Sequence, residues 1–298
     1  MTPKAFNLGG TVQDVLTRFQ NRLLGEVESV GLTTGYPAID EFTNGLKPGE
    51  LFVISSRPGM GSTTLMLNIT EHICVDQKTP SLVVSCDLDA PEIIHRLIFS
   101  RARVDDRRFD SKHMPTDLEL TRVKSAADEL SVAPLTVKDP TCISIEALCA
   151  TARRLHGEDK VGFIAIDHLQ RLETDSFASA GTRRKMVKIV ADLEGLAREL
   201  QVPIVLISGM TRGPEHRKGK DAGIPRLSDL YHPMTIWRHA AWIGLLYREA
   251  FYRDEPDESA KGDPAHLILR NVQQCDVVDV PLSFHAERRH FEAIKVTN

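Results

Sequence analysis

Residues 51–65, LFVISSRPGMGSTTL, constrain this chain more than any other stretch. Leu51-Phe52-Val53-Ile54 is an apolar run rich in β-branched and aromatic side chains, and it predicts a buried strand. Arg57-Pro58-Gly59-Met60-Gly61 cannot extend a strand and predicts a tight loop. Ser62-Thr63-Thr64 then opens a helical pattern that continues through Leu65, Met66 and Ile69. Strand, glycine loop and helix N-terminus in that order make a cradle for phosphate. Backbone N–H groups point at the anion, and the helix dipole adds about half a positive charge.

The P-loop pattern is G-x-x-x-x-G-K-[ST]. Gly61 and Thr63 fall on its second glycine and its hydroxyl position, whereas Ser56 stands at the first glycine and Ser62 at the lysine. The lysine brings a full charge to the β and γ phosphates, and a charge-assisted bond of that kind contributes roughly 1.5–3 kcal/mol. Its share grows as charge moves during phosphoryl transfer. Serine donates one neutral hydrogen bond. The expectation is a triphosphate bound weakly and hydrolysed poorly, if the loop is more than a glycine-rich turn.

The remaining chain decides between those readings. With 298 residues, 42% hydrophobic and 26% charged, it has ordinary globular composition and can bury a sizeable core. A net charge of −4 gives no overall field that attracts nucleic acid, so such contacts must come from local patches. The five cysteines form no C-x-x-C pair and are odd in number, which predicts reduced thiols and a cytoplasmic protein. No apolar run approaches the roughly 18 residues of a membrane span, and no signal-peptide pattern opens the chain.

Thr11 to Glu26 has Val12, Val15, Leu16, Phe19 and Leu23 at helical spacing, after a loose first ten residues. Residues 31–50 are rich in turn formers. Beyond the phosphate loop, helices are expected over 64–75, 91–103, 144–156 and 186–200, with 109–130 helical in two pieces. Ser144 is a plausible N-cap. Strands are expected at 81–85, 135–137, 161–167, 202–208, 242–247, 266–269 and 277–284, the last completing the sheet. This alternation predicts an α/β fold with a mostly parallel central sheet flanked by helices. Ligands then sit at the strand carboxyl ends, where the loop 57–64, Asp87, Asp167 and Ser208 all fall. An apolar strand ending in aspartate, as Asp167 ends 161–167, suits magnesium binding but is also common.

Several motifs carry a resemblance. They are Gly31-x-x-Thr34-Gly35-Tyr36, Gly45-Leu46-x-Pro48, Arg57-Pro58-x-Met60-Gly61-x-Thr63-Thr64 and Ile166-Asp167-x-Leu169-Gln170. Val202-Pro203, Ser208-x-x-x-Arg212, Ser228-Asp229-Leu230 and Tyr247-Arg248 follow. From about Val12 to Phe291 the chain resembles the C-terminal, RecA-like motor domain of DnaB-type replicative DNA helicases. The resemblance implies a RecA-like P-loop fold at 31–298 behind a tail and linker helix at 1–30. It also implies a ring-forming motor with ATP and Mg2+ between subunits. On this footing Arg57, Pro58, Gly59, Met60, Gly61, Ser62, Thr63 and Thr64 bind nucleotide, Thr63 and Asp167 hold the metal, and Asp87, Asp167 and Gln170 serve catalysis. Only about ten residues precede the helix in this sequence, so the resemblance is read without the family's N-terminal, primase-contacting domain and a primase contact is not expected from it.

The departures fall on the chemistry. Ser62 replaces the phosphate lysine, and Asp87 replaces a catalytic glutamate with a shorter reach to water. Gly209 replaces a nucleotide-sensing glutamine, Tyr231 and His232 an Arg-Glu pair, and Asn271 and Gln273 the lysine and arginine that reach a neighbour's nucleotide. Residues 212–220, RGPEHRKGK, carry four cations against one anion, and in the family such loops hold single-stranded DNA by its backbone. Arg212, Arg217, Lys218 and Lys220 are the candidate contacts, with Arg183-Arg184-Lys185 as a second patch. Either patch could equally be a solvated surface. Three readings follow. The first is a DnaB-like homologue that binds nucleotide or single-stranded DNA with little or no hydrolysis, as a homo-oligomer or beside a true replicative helicase. The second is a working helicase with relocated cations, and the third a structural ring or assembly protein that binds neither ligand.

Overall fold

The computed structural model describes Leu16 and residues 31–109, 114–138, 144–177, 181–219, 222–252 and 262–294. The proposed tail and the helix Thr11–Glu26 lie outside the described residues, except for Leu16, which is helical and exposed.

Nine strands form one sheet among the described residues: β1 Leu51–Ser56, β2 Ser81–Ser85, β3 Leu135–Lys138, β4 Phe163–Asp167, β5 Ile204–Gly209, β6 Trp242–Arg248, β7 Asp263–Asn271, β8 Val277–His285 and β9 His290–Ala293. Their spatial order is β3-β2-β4-β5-β1-β6-β7-β8-β9. The first six in that order run parallel, and β7, β8 and β9 add to one edge antiparallel. The phosphate-loop strand β1 sits between β5 and β6, in register Val53 with Leu206 and Ile243.

Seven α-helices accompany the described sheet: α1 Pro37–Thr43, α2 Ser62–Glu71, α3 Ala90–Ala102, α4 Asp117–Ser131, α5 Ile145–Asp159, α6 Thr182–Leu200 and α7 Pro233–His239. Side chains of α5, α6 and α7 fill one face of the sheet, and those of α1, α2 and α3 the other. In β1, Leu51 and Val53 join the first core while Phe52 and Ile54 join the second. A strand covered on both faces reads as an unbroken apolar run, which is why its sequence lacks alternation. Helix starts follow local chemistry. Asp89 accepts from the Glu92 N–H, Thr116 and Glu119 form a capping box, and Ser144 accepts from the Ala147 N–H as its sequence predicts.

Several elements differ from the sequence expectation. The turn-rich stretch before β1 contains α1, whose Pro37 supplies the preset φ of a first helical turn. The helix expected at 64–75 starts at Ser62 and changes at His72 to a wider turn ending at Asp76. Of the two helical pieces expected over 109–130, one is a 3-10 turn at Asp106–Phe109 and the other is α4. β7 extends well beyond 266–269, and β9, unforeseen, completes the sheet in place of β8.

At the end of α2, Glu71 is buried. Its Oε2 has no hydrogen-bond partner among the described residues, and its Oε1 lies 3.5 Å from Arg101. Burial pushes its carboxyl up to about 7, against the opposing pull of Arg103 and Arg101. The folded protein therefore holds this proton more tightly than the unfolded chain, and stability falls as pH rises from about 4.5 to about 7. The loss across that window is about 3 kcal/mol. Glu71→Gln is expected to match wild type near the acid end of the window and exceed it in stability above neutral pH. Urea unfolding at the two ends checks this.

Candidate functional site

The loop after β1 turns on two glycines in the left-handed region, Gly59 at φ 85° and Gly61 at φ 97°. Both also lie under aromatic rings. A Cβ at Gly61 would stand 3.0 Å from the Phe291 ring, and one at Gly59 2.7 Å from Phe251. Handedness and close approach thus both call for glycine. Met60, expected at the nucleotide, instead buries its side chain in the core and does not line the cleft. Gly61 caps α2 without any side-chain hydrogen bond, and no acidic residue lies in the first turn of that helix. The N-terminal end of α2 therefore opens on a cleft of about 600 Å³. Arg57, Pro58, Gly59, Gly61, Ser62, Thr63, Thr64, Asp87, Asp167 and Gln170, which the sequence singles out, all line it.

The two departures from the P-loop pattern meet each other. Ser56 Oγ donates to Ser62 Oγ at 2.9 Å, so the side chain at the lysine position is tied back to the end of β1. Beside them Thr63 Oγ1 donates to Asp167 Oδ2 at 2.7 Å. Asp167 is buried, and burial pushes its carboxyl above the ordinary range against the pull of the Thr63 hydrogen bond. A hydroxyl and a buried carboxylate side by side are oxygen ligands suited to a hard cation such as Mg2+. These donors fit the metal. The loop backbone fits a phosphate, but the charge that should balance it is missing at Ser62.

Asp87, which lines the cleft, is held by two basic side chains. His168 Nε2 lies 3.1 Å from Oδ2 and Arg171 Nε 3.0 Å from Oδ1. Gln170 is also fixed, with Nε2 donating to Ser208 Oγ at 3.0 Å and Oε1 accepting from the Gly209 N–H at 2.9 Å. Tyr231 fills the space left by Gly209. A Cβ there would meet the Tyr231 ring at 3.3 Å and Gln170 Oε1 at 3.6 Å. Arg96 from α3 lines the same cleft. Its Nε lies 2.6 Å from Glu92 Oε1, and its other two nitrogens make no hydrogen bond among the described residues. Sequence reasoning missed Arg96 and His168 in the cleft lining and Arg171 behind Asp87, and it singled out Tyr231 only as a departure from the family pattern. Only the fold brings them to the loop.

Arg57 turns away from the phosphate loop. Its Nε donates to Glu215 Oε1 at 2.7 Å and its NH1 to the Met210 carbonyl at 2.8 Å. Glu215 belongs to the 3-10 turn Gly213–His216 within the basic stretch. In that stretch Arg212 and Lys218 are exposed, as are Arg183 and Arg184 in the second patch. Arg217 is not presented outward: its NH2 donates to the buried Asp229 at 2.6 Å and its NH1 to the Ile224 carbonyl at 2.7 Å. It braces the loop from inside. Lys220 lies outside the described residues.

A parallel sheet with an antiparallel extension, a glycine loop at the end of a central strand and a carboxylate two strands away define a RecA-like α/β protein with a P-loop-type cleft. Solved structures share this fold. One, described as an ATPase domain, has TM-score 0.83 and 23% identity over 95% of this chain and 98% of that one. Another, titled "The Structure Of A DnaB-Like Replicative Helicase And Its Interactions With Primase", has TM-score 0.83 and 22% identity over 98% of this chain and 68% of that one. A KaiC-like protein from Pyrococcus horikoshii is more distant, with TM-score 0.55 and 13% identity over 88% of this chain and 97% of that one. The model of the DnaB-like helicase C terminal domain matches residues 31–293, and the chain belongs to that family. Relatives include the replicative DNA helicase DnaB of Haemophilus influenzae, 28% identical over 94% of this chain and 58% of the relative. DnaB of Leifsonia xyli is 30% identical over 88% and 55%. The chain spans 55–60% of the length of the curated relatives it matches.

The Thr63–Asp167 bond sets a measurable stability. Thr63→Val keeps the shape of the side chain and leaves the buried Asp167 Oδ2 without its donor. It is expected to cost about 1–3 kcal/mol in urea unfolding.

Proposed function

We propose that this chain is a DnaB-like protein of DNA replication that binds nucleotide and single-stranded DNA and hydrolyses ATP slowly or not at all. The observation that carries this reading is the pairing of Ser62 with Ser56 beside an intact Thr63–Asp167 pair. The Thr63 and Asp167 oxygens that would hold a metal stand side by side, and the lysine charge is replaced by a neutral hydroxyl that accepts from Ser56. Asp87 supports the same reading. Its two carboxylate oxygens already face His168 and Arg171, which leaves it a poorer base for an attacking water.

Thr63 and Asp167 would hold Mg2+, which supplies charge neutralisation to a bound triphosphate. The backbone of residues 59–63 and the α2 dipole would orient the phosphates. On the DNA side, Arg212 and Lys218 are the described cations of the basic stretch that stand outward, and they would hold a phosphate backbone without reading bases. Assembly as a ring, or beside a true replicative helicase, belongs to the same proposal. Its support is family membership.

Arg96 favours a second reading, a working helicase with relocated cations. It lines the cleft and keeps two nitrogens for a phosphate. Steady-state ATP hydrolysis with single-stranded DNA separates the two. The expected turnover is far below about 1 per second, the low end of ordinary enzymes, and a rate at or above that level establishes the helicase reading instead. Ser62→Lys is expected to tighten Mg-ATP binding by about tenfold or more, since it restores a charge-assisted bond. An equilibrium titration with and without Mg2+ measures this.

A further inference from the structure

We propose that Arg57 is a phosphate-binding cation of this cleft and that Glu215 holds it away, so that nucleotide and the basic loop compete for its guanidinium. The inference rests on the nucleotide-binding reading and adds its regulation. Arg57 opens the phosphate loop and lines the cleft with Gly61, Ser62 and Thr63. Its Nε and NH2 both lie 2.7 Å from Glu215 Oε1, and its NH1 donates to the Met210 carbonyl. All of its nitrogens are thus engaged by the segment that leaves β5 and enters the basic stretch.

The geometry makes this engagement reversible. The Arg57 side chain is 14% exposed, but that of Glu215 is 33% exposed, and one carboxylate oxygen serves both nitrogens. Pairs open to solvent on one side are weak. A phosphate chain offers more charge and a two-point match to the guanidinium fork. Among the described residues, no lysine lines the cleft, and the other arginine that does, Arg96, comes from α3 with its Nε held by Glu92. On the other side of the pair, Glu215 anchors a single short turn, closed by the Glu215 N–H to the Arg212 carbonyl and the Arg217 N–H to the Pro214 carbonyl. Exposed Arg212 and Lys218 flank that turn. When Arg57 moves to phosphate, the turn loses its tether to the loop. Linkage then requires the reverse as well: whatever keeps Glu215 on Arg57 weakens nucleotide binding by the same factor.

The test is a titration of the full chain with a fluorescent ATP analogue and Mg2+, comparing wild type, Glu215→Gln, Arg57→Gln and the double variant, each shown to be folded by its thermal melt. Ser62→Lys serves as a positive control for the cleft. Glu215→Gln is expected to bind about fivefold to tenfold more tightly than wild type, the lower range of couplings between sites. The gain is expected to vanish when Arg57 is also replaced. A bridge that only braces the loop predicts the opposite sign, so unchanged or weaker binding by Glu215→Gln overturns the proposal, as does a gain that survives Arg57→Gln. If wild type binds and Glu215→Gln gains nothing, the competition alone falls. If wild type, Glu215→Gln and Ser62→Lys all fail to bind, the nucleotide reading falls and takes the competition with it. Amide exchange at Glu215 and Arg217 is expected to quicken under saturating nucleotide, and unchanged exchange removes the link to the basic loop.

Discussion

The hydrogen bond from Thr63 to Asp167 joins the two halves of the cleft. β1 and β4 are not neighbours, since β5 lies between them. The contact therefore needs the α2 N-terminus to lean across the sheet end, and the tight loop with its two left-handed glycines brings that about. Once the bond forms, Asp167 can stay buried at the end of β4, with a donor for an oxygen that would otherwise be desolvated without compensation. The rings of Phe284 and Phe291, on the antiparallel extension, close over Gly61 from the other side. The extension is thus the wall that holds the phosphate loop in place.

Around that bond, the departures from the helicase pattern come in mutually fitted groups. Ser56 and Ser62 bond to each other. Gly209 lacks a side chain where Tyr231 places its ring. Asp87 is answered by His168 and Arg171. Independent loss of individual residues would leave cavities or unpaired groups near the loop, and buried groups of that kind are costly. Here Ser62, Gly209 and Asp87 each have a neighbour that suits them. The cleft is therefore a consistent small structure in its own right.

Much of the fold was legible because parallel strands covered on both faces appear as apolar runs, and β1, β2, β4 and β5 all do. β9 was not, since His290–Ala293 is four residues long with two of them exposed. Its role depends on Phe291 meeting a glycine far earlier in the chain, which no local pattern records. The loop, Asp87, Asp167 and Gln170 were legible through motif spacing. The direction of charged side chains was not. Arg217 and Arg212 look alike in a basic run, yet one is braced against Asp229 and the other faces solvent. Composition counts charges, whereas tertiary packing decides which are available.

The same distinction governs the chemistry of the cleft. Asp87 and Asp167 both line it and both repel a phosphate chain. Its two arginines are already engaged, Arg57 by Glu215 and Arg96 in part by Glu92. In a P-loop with its lysine, a cation is presented in advance and the triphosphate displaces only water. On the proposed reading, a phosphate that recruits Arg57 would have to win its guanidinium from Glu215, Arg96 would offer only the two nitrogens that Glu92 leaves, and Thr63 and Asp167 would hold the Mg2+ that neutralises the phosphates. Binding energy that could have lowered the barrier to hydrolysis would then be consumed in part in assembling the site. The slow turnover proposed for this chain would therefore follow from how the existing charges are arranged as well as from the absence of one lysine, and restoring that lysine addresses only the second cause.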